Sequence, residues 1–456
     1  GSQPGHNIRY ALEIVMTHDC IIIGGGPAGY EAAAIAANRG DKVLLVERDK
    51  LGGTCLNRGC IPTKSFCRSA EVAMDAAEAS AFGIMLPEGG IKADMAAVVA
   101  RKNAIVDQLR EGVSMVVANA ETLHGEASFV SSHEISVGGS VYSAPKIVIA
   151  SGSEAARLPI PGAELAVTST ELLDATALPE SLAIIGGGVI GMEFASVFSA
   201  LGSEVTVIEY CKEILPPFDK DIAKRLRTTL QRRGVKFHLS AEVMSVEPTH
   251  GVLKQVNFSA KGKVQGVEAE TVLMAVGRRA VIPHGAPEAG FDIGRRGFTV
   301  DSRFETNIPG VFAVGDCNGI CQLAHAASAQ AAVVMGEEMD ISVIPSAVFT
   351  VPECGMVGLT EEQCKEQGIG YSVGKSFFRA NGKAMTMGET DGMVKIITDN
   401  SSGLIIGCHI CGPHAADLTA EAALAMSARI PAKAVAATIH SHPSLSEALQ
   451  AALRGL

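Results

Sequence analysis

The chain has 456 residues, and its 38 Lys and Arg against 49 Asp and Glu give a formal charge of −11. That length suggests about three domains. An acidic chain without a Lys/Arg block is a poor nucleic-acid binder, and no stretch is apolar enough to predict a membrane span. The hydrophobic fraction of 47% excludes a disordered chain, and abundant Gly with only 4% aromatic residues favours α/β layers.

The start of the chain and its cysteines suggest where the protein resides. Residues 1–15 are expected to be an added segment before a native start at Met16, and they lack the pattern of a signal peptide. Eleven cysteines without regular spacing argue against a secreted disulfide scaffold. A cytoplasmic or similarly reducing location is therefore predicted.

An internal repeat with a constant offset is the strongest signal. Cys20-Ile-Ile-Ile-Gly-Gly-Gly-Pro-Ala-Gly29 resembles Leu182-Ala-Ile-Ile-Gly-Gly-Gly-Val-Ile-Gly191. Seven positions recur 162 residues later, so that Gly24, Gly26, Gly29, Glu31, Gly40, Val43 and Glu47 become Gly186, Gly188, Gly191, Glu193, Gly202, Val205 and Glu209. Each copy predicts an apolar strand, a Gly-x-Gly-x-x-Gly turn, a helix closed by Gly, and a second strand ending in Glu.

Each part of this unit suits the binding of a dinucleotide. The first Gly allows a tight turn, the second lets the backbone approach a pyrophosphate, and the third lets the helix pack on the strand. The helix N-terminus offers N–H groups to the phosphates, and the terminal Glu can accept hydrogen bonds from a ribose 2′-OH. Such turns also occur as plain loops, but two full copies predict two dinucleotides. Glu209, with no Arg in Tyr210 to Leu215, favours NAD over NADP at the second copy.

A cysteine pair follows the first copy, in Gly52-Gly-Thr-Cys55-Leu-Asn-Arg-Gly-Cys60-Ile-Pro-Thr-Lys64. Across this spacing a regular helix separates the Cα atoms by roughly 8–9 Å, whereas a disulfide needs less than about 7 Å. A bridge therefore requires a distorted turn, which Gly59 and Pro62 could provide. A helix N-terminus with Arg58 and Lys64 nearby would stabilise a thiolate, although two buried thiols are the alternative.

The cysteine motif closely resembles the signature of the class I flavoprotein disulfide reductases. The resemblance extends from about Thr17 to the C-terminus. It includes both glycine repeats, Thr306-Asn-Ile-Pro-Gly-Val-Phe-Ala-Val-Gly-Asp316, Leu323-Ala-His325, Phe349-Thr-Val-Pro-Glu353, Gly412-Pro-His414 and His440-Ser-His-Pro-Ser-Leu-Ser-Glu447. Within the family, these motifs are most similar to members that oxidise protein-bound dihydrolipoyl groups with NAD⁺.

The resemblance implies that the first copy binds FAD. Glu47 is expected on the adenosine ribose, Asp316 on the ribityl chain, and the N-terminus of a helix near Leu323 at the pyrimidine edge of the flavin. From the residues alone, Gly315-Asp316 would be only a turn after a buried strand. The residues assigned to FAD are Gly24, Gly26, Gly29, Glu47, Lys64, Gly152, Asp316, Leu323, Ala324 and His325.

The resemblance also implies that the second copy binds NAD. Lys64 is expected near flavin N5, paired with Glu193, and an ordinary surface ion pair is the alternative. The residues assigned to NAD are Gly186, Gly188, Gly191, Glu193, Glu209 and Gly277.

Four catalytic residues are implied by the resemblance. Cys55 and Cys60 form a redox-active disulfide, with Cys55 as the exposed interchange thiol and Cys60 as the charge-transfer thiolate beside the flavin. His442 and Glu447 form an acid/base pair, because the proton of an arriving thiol must be accepted. Alternatively, Ser444-Leu-Ser-Glu447 is a capping box in which Glu447 only caps the last helix, and the two roles are expected to need different orientations. His440 is expected to be a supporting or surface histidine.

The implied fold has two Rossmann-like domains and a C-terminal α+β dimerisation domain. The predicted segments are an FAD-binding domain at 16–157 with a return at 278–344, an NAD-binding domain at 158–277 and an interface domain at 345–456. A homodimer with active sites shared between chains follows, and the Ala-rich run Ala415 to Ala428 is a candidate interface helix, although a core helix has the same pattern.

Several positions depart from the family pattern. Ser151 replaces the usual Thr before Gly152, Ala326 and Gln330-Ala331 replace a Lys and an acidic-Gly pair, and Cys354-Gly355 replaces apolar residues. Cys408-His-Ile-Cys411 resembles a metal knuckle, but its apolar surroundings predict a buried strand and no metal site.

The implied activity is the NAD⁺-dependent oxidation of dihydrolipoyl groups. The expected partners are lipoyl domains of 2-oxo acid dehydrogenase complexes or of a glycine-cleavage system. The alternatives are an NAD(P)H-dependent reductase of another small disulfide, such as glutathione, and a non-catalytic binding protein on the same fold. Retention of both cysteines with His442 and Glu447 argues against the latter.

Overall fold

The structure, a computed structural model, describes residues 15–87 and 90–456. The segment expected to be added at 1–15 therefore lies outside the described residues, apart from Val15. Contacts divide the described chain into two compact units. The first comprises the described part of Gly1–Asn57 with Gln108–Glu154 and Arg279–Met339, and the second comprises Arg58–Asp107, Ala155–Arg278 and Asp340–Leu456. No helix in the described ranges is long and apolar enough to cross a membrane.

A parallel five-stranded sheet forms the centre of the first unit. Its order is Val311–Ala313, Lys146–Ile149, Cys20–Ile23, Val43–Glu47 and Glu121–His124. The three middle strands are short apolar runs buried almost throughout, as is typical of strands covered on both faces. The helices Pro27–Asn38 and Ala324–Val334 pack against each other. The second of these lies in the uncharged stretch Cys317 to Gly336.

Further short strands complete the first unit. A mixed sheet has the order Met16–Thr17, Ser140–Ser143, Glu134–Val137 and Ser128–Ser131. Smaller elements are Ser153–Ala155, Ile293–Gly294, Gly297–Phe298 and the 3₁₀ turn Gly315–Asn318, and strand Arg278–Ala280 begins at the boundary with the second unit.

The second unit repeats the parallel arrangement around the second glycine motif. The sheet order is Lys236–His238, Glu204–Ile208, Ser181–Ile185 and Thr271–Met274. An antiparallel sheet of Ala241–Pro248, Lys254–Ala260 and Lys263–Ala269 lies beside it. Its helices are Cys60–Ala77, Ser169–Leu172, Val189–Leu201 and Lys220–Arg232, with 3₁₀ turns at Ala79–Phe82 and Ala163–Leu165. Two helices, Gly53–Arg58 and Met95–Val116, contain residues of both units.

The C-terminal part of the second unit is an antiparallel sheet with helices. The strand order is Ser346–Val348, Glu353–Gly358, Ile405–Gly412, Met393–Asp399 and Tyr371–Phe377. The helices are Glu361–Glu366, Gly382–Met387, Ala415–Ser427, Ala432–Ala437 and Glu447–Arg454, with a 3₁₀ turn at Phe378–Ala380. Two parallel dinucleotide-type sheets and an α+β C-terminal part confirm the predicted fold class.

A buried ion-pair cluster joins the N-terminus of helix Lys220–Arg232 to the C-terminal sheet. The Lys395 ammonium, whose side chain is 2% exposed, lies 2.9 Å from Asp219 and 2.7 Å from Glu361. It also lies 3.0 Å from Asp221, which a second cation, Lys375, contacts at 2.8 Å. Burial opposes the charge of Lys395, but Glu361 and Asp219 outweigh it and raise its pKa. A buried charge of this kind requires its partners, so the cluster fixes these elements to one another.

Candidate active site

The first glycine turn has a shape that only glycine allows at two positions. Gly24 has φ +106°, and a Cβ atom there would lie 2.2 Å from the Ala150 carbonyl oxygen. A Cβ atom at Gly29 would lie 1.7 Å from the Gly24 carbonyl oxygen. The backbone roles predicted for the first and third glycines are therefore confirmed in this copy.

The second glycine turn repeats this geometry. Gly186 has φ +108°, with a hypothetical Cβ atom 2.4 Å from the Ala275 carbonyl oxygen, and a Cβ atom at Gly191 would lie 2.0 Å from the Gly186 carbonyl oxygen. Helix Val189–Leu201 ends at Gly202, as predicted, and the strand before Glu209 ends at Ile208. The repeat detected in the sequence is thus a repeat of backbone conformation.

Both terminal glutamates bind their own glycine turn. Glu47 accepts hydrogen bonds from the Gly25 N–H and the Asp49 N–H, each at 2.7 Å. Glu209, which is 6% exposed, accepts from the Gly187 N–H and the Cys211 N–H, each at 2.5 Å. A carboxylate has about four lone-pair sites, so each glutamate can still accept from a ribose hydroxyl. The sequence predicted that the two glutamates bind a ribose, but not that they also fix the glycine turns through hydrogen bonds.

The two turns present helix N-termini suited to phosphates. Neither Gly26 nor Gly188, the N-cap residues of the two helices, has a side-chain cap. Uncapped N–H groups at the positive end of a helix are a ready anion site. A Cβ atom at Gly188 would have no heavy atom within 4 Å, whereas one at Gly26 would lie 3.7 Å from Gly53 Cα. The residues present therefore fit a dinucleotide at each turn, and in the first copy the chain around Gly53 covers the turn.

Other predicted FAD residues lie at the same edge of the first sheet. Gly152 follows strand Lys146–Ile149 and Asp316 follows strand Val311–Ala313, and both strands run parallel to Cys20–Ile23. The carboxyl edge of a parallel sheet is where such folds bind ligands. Ser153 Oγ donates to the Asp316 carboxylate at 2.5 Å. Helix Ala324–Val334 begins as predicted, with Leu323 as an N-cap without a side-chain bond and with Ala324 and His325 in its first turn.

Gly277 occupies the matching position in the second unit. It follows strand Thr271–Met274, which is parallel to Ser181–Ile185, and it has φ +108°. Its carbonyl oxygen accepts the Ala156 N–H at 2.9 Å. Gly277 and the second glycine turn are therefore at the same sheet edge.

The cysteine motif has its distortion at Gly59. Cys55, expected to be the exposed thiol, is half-buried in helix Gly53–Arg58, whereas Cys60, the first residue of helix Cys60–Ala77, is exposed. Gly59 between them has φ −135° and ψ −113°, values outside the helical region. Of the two residues considered for a distorted turn, Gly59 therefore provides it, and Pro62 lies within the second helix.

Lys64 and Glu193 form a buried pair. The Lys64 ammonium lies 2.9 Å from Glu193 Oε1, and the Glu193 side chain is only 3% exposed. The Phe349 N–H donates to the same carboxylate at 3.0 Å, and the ammonium also lies 4.6 Å from the centre of the Phe349 ring. Burial opposes the charge of Lys64, but Glu193 outweighs it and raises its pKa, with a smaller contribution from Cys60. The alternative of an ordinary surface pair is therefore wrong, and the Lys64 cation one turn after Cys60 favours a thiolate there.

Glu447 bonds both to His442 and to the backbone before its helix. Its Oε1 lies 2.9 Å from His442 Nδ1, and its Oε2 accepts the Ser444 N–H at 2.9 Å. The predicted capping box is not formed, because the helix begins at Glu447 itself, with Ser446 as an N-cap residue that makes no side-chain cap. The Ser444 N–H and then His442 lower the pKa of Glu447. The imidazole is 79% exposed and has Nε2 directed away from the carboxylate contact, so His442 can exchange a proton with a substrate.

His440 is not a surface histidine. Its side chain is 6% exposed, and Nε2 lies 2.8 Å from Glu421 Oε1. Its Nδ1 lies 3.0 Å from the Thr438 carbonyl oxygen. The surface alternative for this residue is therefore wrong, and Glu421 on helix Ala415–Ser427 is a site residue that the sequence analysis missed. The only sequence signal for it was an acidic residue within an Ala-rich helix.

The departures from the family pattern have structural explanations. Ser151 Oγ donates to the Val281 carbonyl oxygen at 2.6 Å. Gln330, which is 2% exposed, accepts from the Gly315 N–H at 2.8 Å and from Asn318 at 2.9 Å, and so holds the turn that carries Asp316.

The cysteines outside the redox motif are mostly buried. Cys354 is opposite Cys411 on the neighbouring antiparallel strand, and both are 0% exposed. The contact with Cys411, followed by burial, raises the pKa of Cys354. Cys408 also lies in the predicted strand, Ile405–Gly412, at 0% exposure, so it packs as a small apolar residue.

Two glycine turns, a cysteine motif and an antiparallel C-terminal part define an oxidoreductase of the two-dinucleotide class. The chain belongs to the pyridine nucleotide-disulphide oxidoreductase family. The family pattern matches residues 18–331, and the pattern of its dimerisation domain matches residues 344–453.

Named relatives match nearly the whole chain. A dihydrolipoyl dehydrogenase of Chlamydia muridarum is 40% identical over 446 residues, 94% of each chain. A dihydrolipoyl dehydrogenase of Bacillus subtilis is 37% identical over 447 residues, 95% of this chain and 97% of its own. Among solved structures, the HOCl-induced flavoprotein disulfide reductase RclA from Escherichia coli is 30% identical, with a TM-score of 0.85 over 96% of this chain and 99% of its own.

Proposed function

We propose that the protein oxidises protein-bound dihydrolipoyl groups to lipoyl groups and reduces NAD⁺ to NADH. One observation carries the proposal. The cysteine motif and the hydrogen-bonded His442–Glu447 pair occur together in a chain that is 40% identical over 94% of its length to a dihydrolipoyl dehydrogenase. FAD, bound at the first glycine turn, supplies two-electron transfer between the cysteine pair and NAD⁺.

The cysteine pair accepts the electrons of the substrate. A substrate thiolate attacks the Cys55 sulfur of the Cys55–Cys60 disulfide, forming a mixed disulfide and releasing the Cys60 thiolate. The second substrate sulfur then attacks the first, closes the lipoyl ring and releases Cys55 as a thiol. The Lys64 cation, which Glu193 holds at 2.9 Å, stabilises the Cys60 thiolate.

His442 handles the protons. The thiol of the arriving dithiol must lose its proton before it attacks, and His442 Nε2 accepts it. Glu447 orients the ring through Nδ1 and stabilises the imidazolium that results. In the proposed homodimer with shared sites, this pair acts in the active site of the partner chain.

The second substrate is NAD⁺ rather than NADP⁺. The Glu209 carboxylate, 6% exposed and fixed by two backbone N–H groups, would repel a 2′-phosphate. The natural electron donors are lipoyl domains of a 2-oxo acid dehydrogenase complex or a glycine-cleavage system, in the cytoplasm. That compartment is consistent with the many buried thiols.

A steady-state assay tests the proposal. The purified protein, loaded with FAD, is supplied with dihydrolipoamide and either NAD⁺ or NADP⁺, and separately with oxidised glutathione and either NADH or NADPH. Dihydrolipoamide oxidation with NAD⁺ should exceed the other reactions in kcat/KM by at least about 100-fold. A higher kcat/KM for glutathione reduction would contradict the proposal and support the alternative of a small-disulfide reductase.

A further inference from the structure

His440 and His442 are two residues apart but have opposite surroundings. The side chain of His440 is 6% exposed, whereas that of His442 is 79% exposed. No step of the proposed mechanism uses His440. Its burial against a carboxylate therefore needs a separate explanation.

Both ring nitrogens of His440 have a partner within the protein. Nε2 lies 2.8 Å from Glu421 Oε1, and Nδ1 lies 3.0 Å from the Thr438 carbonyl oxygen. The buried ring is therefore held from both of its nitrogen atoms.

These bonds anchor the beginning of a segment that connects two helices. Residues 438–446 connect helix Ala432–Ala437 to helix Glu447–Arg454 and contain no helix or strand. The Thr438 carbonyl oxygen also accepts from Gln450 Nε2 at 2.6 Å. His440 thus ties the beginning of this segment to Glu421 on helix Ala415–Ser427. The tie lies two residues before the catalytic His442.

We propose that His440, bonded to Glu421, is a positioning residue for the His442–Glu447 pair. It fixes the segment before Pro443, so that His442 Nδ1 meets Glu447. The charge of His440 contributes to the lowered pKa of Glu447, after the larger effects of Ser444 and His442. This inference rests on the proposed function for its catalytic consequence.

The test compares four variants with the wild type, all loaded with FAD. They are His440→Gln, Glu421→Gln, the double variant, and His250→Gln as a control at an exposed hairpin position. Two reactions are measured for each protein. The oxidation of dihydrolipoamide by NAD⁺ needs His442, whereas the oxidation of NADH by ferricyanide needs the cofactors but no proton transfer at His442.

The expected result is a selective loss of dithiol oxidation. His440→Gln should lower kcat for dihydrolipoamide about tenfold, the effect of one charge-assisted hydrogen bond. The KM for NAD⁺ and the ferricyanide rate should stay within about twofold of the wild type. The double variant should lose no more than the larger single loss, because the two residues act as one unit. Equal losses in both reactions, an unchanged kcat, or additive losses would each overturn the proposal.

Hydrogen–deuterium exchange gives a readout that does not depend on the reaction. In His440→Gln, peptides covering 438–446 should exchange faster, while peptides from helix Ala415–Ser427 should be unchanged. Unchanged exchange at 438–446 would overturn the anchoring role. If the wild type does not oxidise dihydrolipoamide, the proposed function fails, and the exchange data still decide whether His440 anchors the segment.

Discussion

Glu209 combines two tasks at the level of a single residue. One carboxylate oxygen holds the Gly187 N–H and the other holds the Cys211 N–H, so the residue shapes the turn as well as facing the expected ribose. A substitution of Glu209 therefore changes two properties at once. They are the preference for NAD⁺ over NADP⁺ and the affinity for either dinucleotide. Glu47 has the same arrangement in the first copy.

The first prediction separates these tasks. Glu209→Gln keeps the shape of the side chain but removes its charge, so one of the two backbone N–H groups keeps only a neutral acceptor and the other faces an amide N–H₂ group. We expect the KM for NAD⁺ to rise about tenfold, the effect of one charge-assisted hydrogen bond. The ratio of kcat/KM between NAD⁺ and NADP⁺ should fall, because a 2′-phosphate no longer meets a carboxylate.

Glu204→Gln is the matched control, since Glu204 lies on the same strand with its side chain 81% exposed. Steady-state kinetics with both dinucleotides should leave this control unchanged. Equal kinetic effects in the two variants would show that Glu209 has no special role.

At the level of elements, the two glycines that flank the start of helix Val189–Leu201 should respond differently to substitution by Ala. Gly188→Ala should fold normally, because a Cβ atom there meets nothing within 4 Å, but the methyl group would occupy the space left for a pyrophosphate. We expect wild-type thermal stability and FAD content, with the KM for NAD⁺ raised at least about tenfold. Gly191→Ala should instead lower the thermal stability, because its Cβ atom would lie 2.0 Å from a backbone oxygen. Thermal unfolding and NAD⁺ titration are measured for both variants. A Gly191→Ala protein as stable as the wild type would contradict the close packing assigned to Gly191.

The Lys395 cluster makes a prediction about stability. Lys395→Met leaves Asp219, which is 0% exposed, without its cation, and should destabilise the protein by about 3–5 kcal/mol near pH 7. Lys375→Met is the control, and because Lys375 is 40% exposed it should cost less than about 1 kcal/mol. Urea unfolding measures the free energy of unfolding of both variants. Similar losses in the two variants would contradict the role assigned to Lys395.

The same cluster has a defined pH dependence. Hydrogen bonds to Lys375 and Lys395 outweigh burial and lower the pKa of Asp221 to about 2, and a hydrogen bond to Lys395 lowers that of Glu361 to about 2. Carboxyl groups with lowered pKa values stabilise the folded state above their ordinary values of 3.8 and 4.5. That contribution is lost as the pH falls toward 2. The difference in the free energy of unfolding between wild type and Lys395→Met should therefore be constant from pH 7 to 5. It should become smaller below about pH 4.

The sequence predicted those elements whose signals are local. The strand, turn, helix and strand of each repeat follow from glycine spacing and apolar runs within about thirty residues. The distorted turn considered at Gly59 also came from neighbouring residues, whereas the start of helix Ala324–Val334 was implied by the family resemblance. In contrast, Asp219 and Lys395 are 176 positions apart, and nothing local shows that they meet. The burial of His440 depends in the same way on Glu421, which lies on helix Ala415–Ser427.

At the level of the whole molecule, the proposed homodimer would build each active site from two chains. Cys55→Ser and His442→Ala should each abolish dithiol oxidation as pure dimers. When the two variants are denatured, mixed and refolded with FAD, about half of the dimers should be mixed. With shared sites, each mixed dimer has one intact site, and about a quarter of the wild-type activity should return. Activity that stays at the level of the parent variants, with mixed dimers confirmed by mass, would exclude sharing.

The two glycine turns have the same backbone conformation but differ in how closely a neighbouring segment approaches them. In the first, Gly53 approaches so closely that a Cβ atom on it would lie 2.6 Å from Gly26 Cα, whereas Gly188 in the second faces open space. The segment at Gly53 should slow the release of a group held at the first turn, whereas no heavy atom would lie within 4 Å of a Cβ atom at Gly188. We therefore expect the first dinucleotide to stay bound for longer than the second. The two copies of one motif would then differ in exchange rate because of a single neighbouring segment.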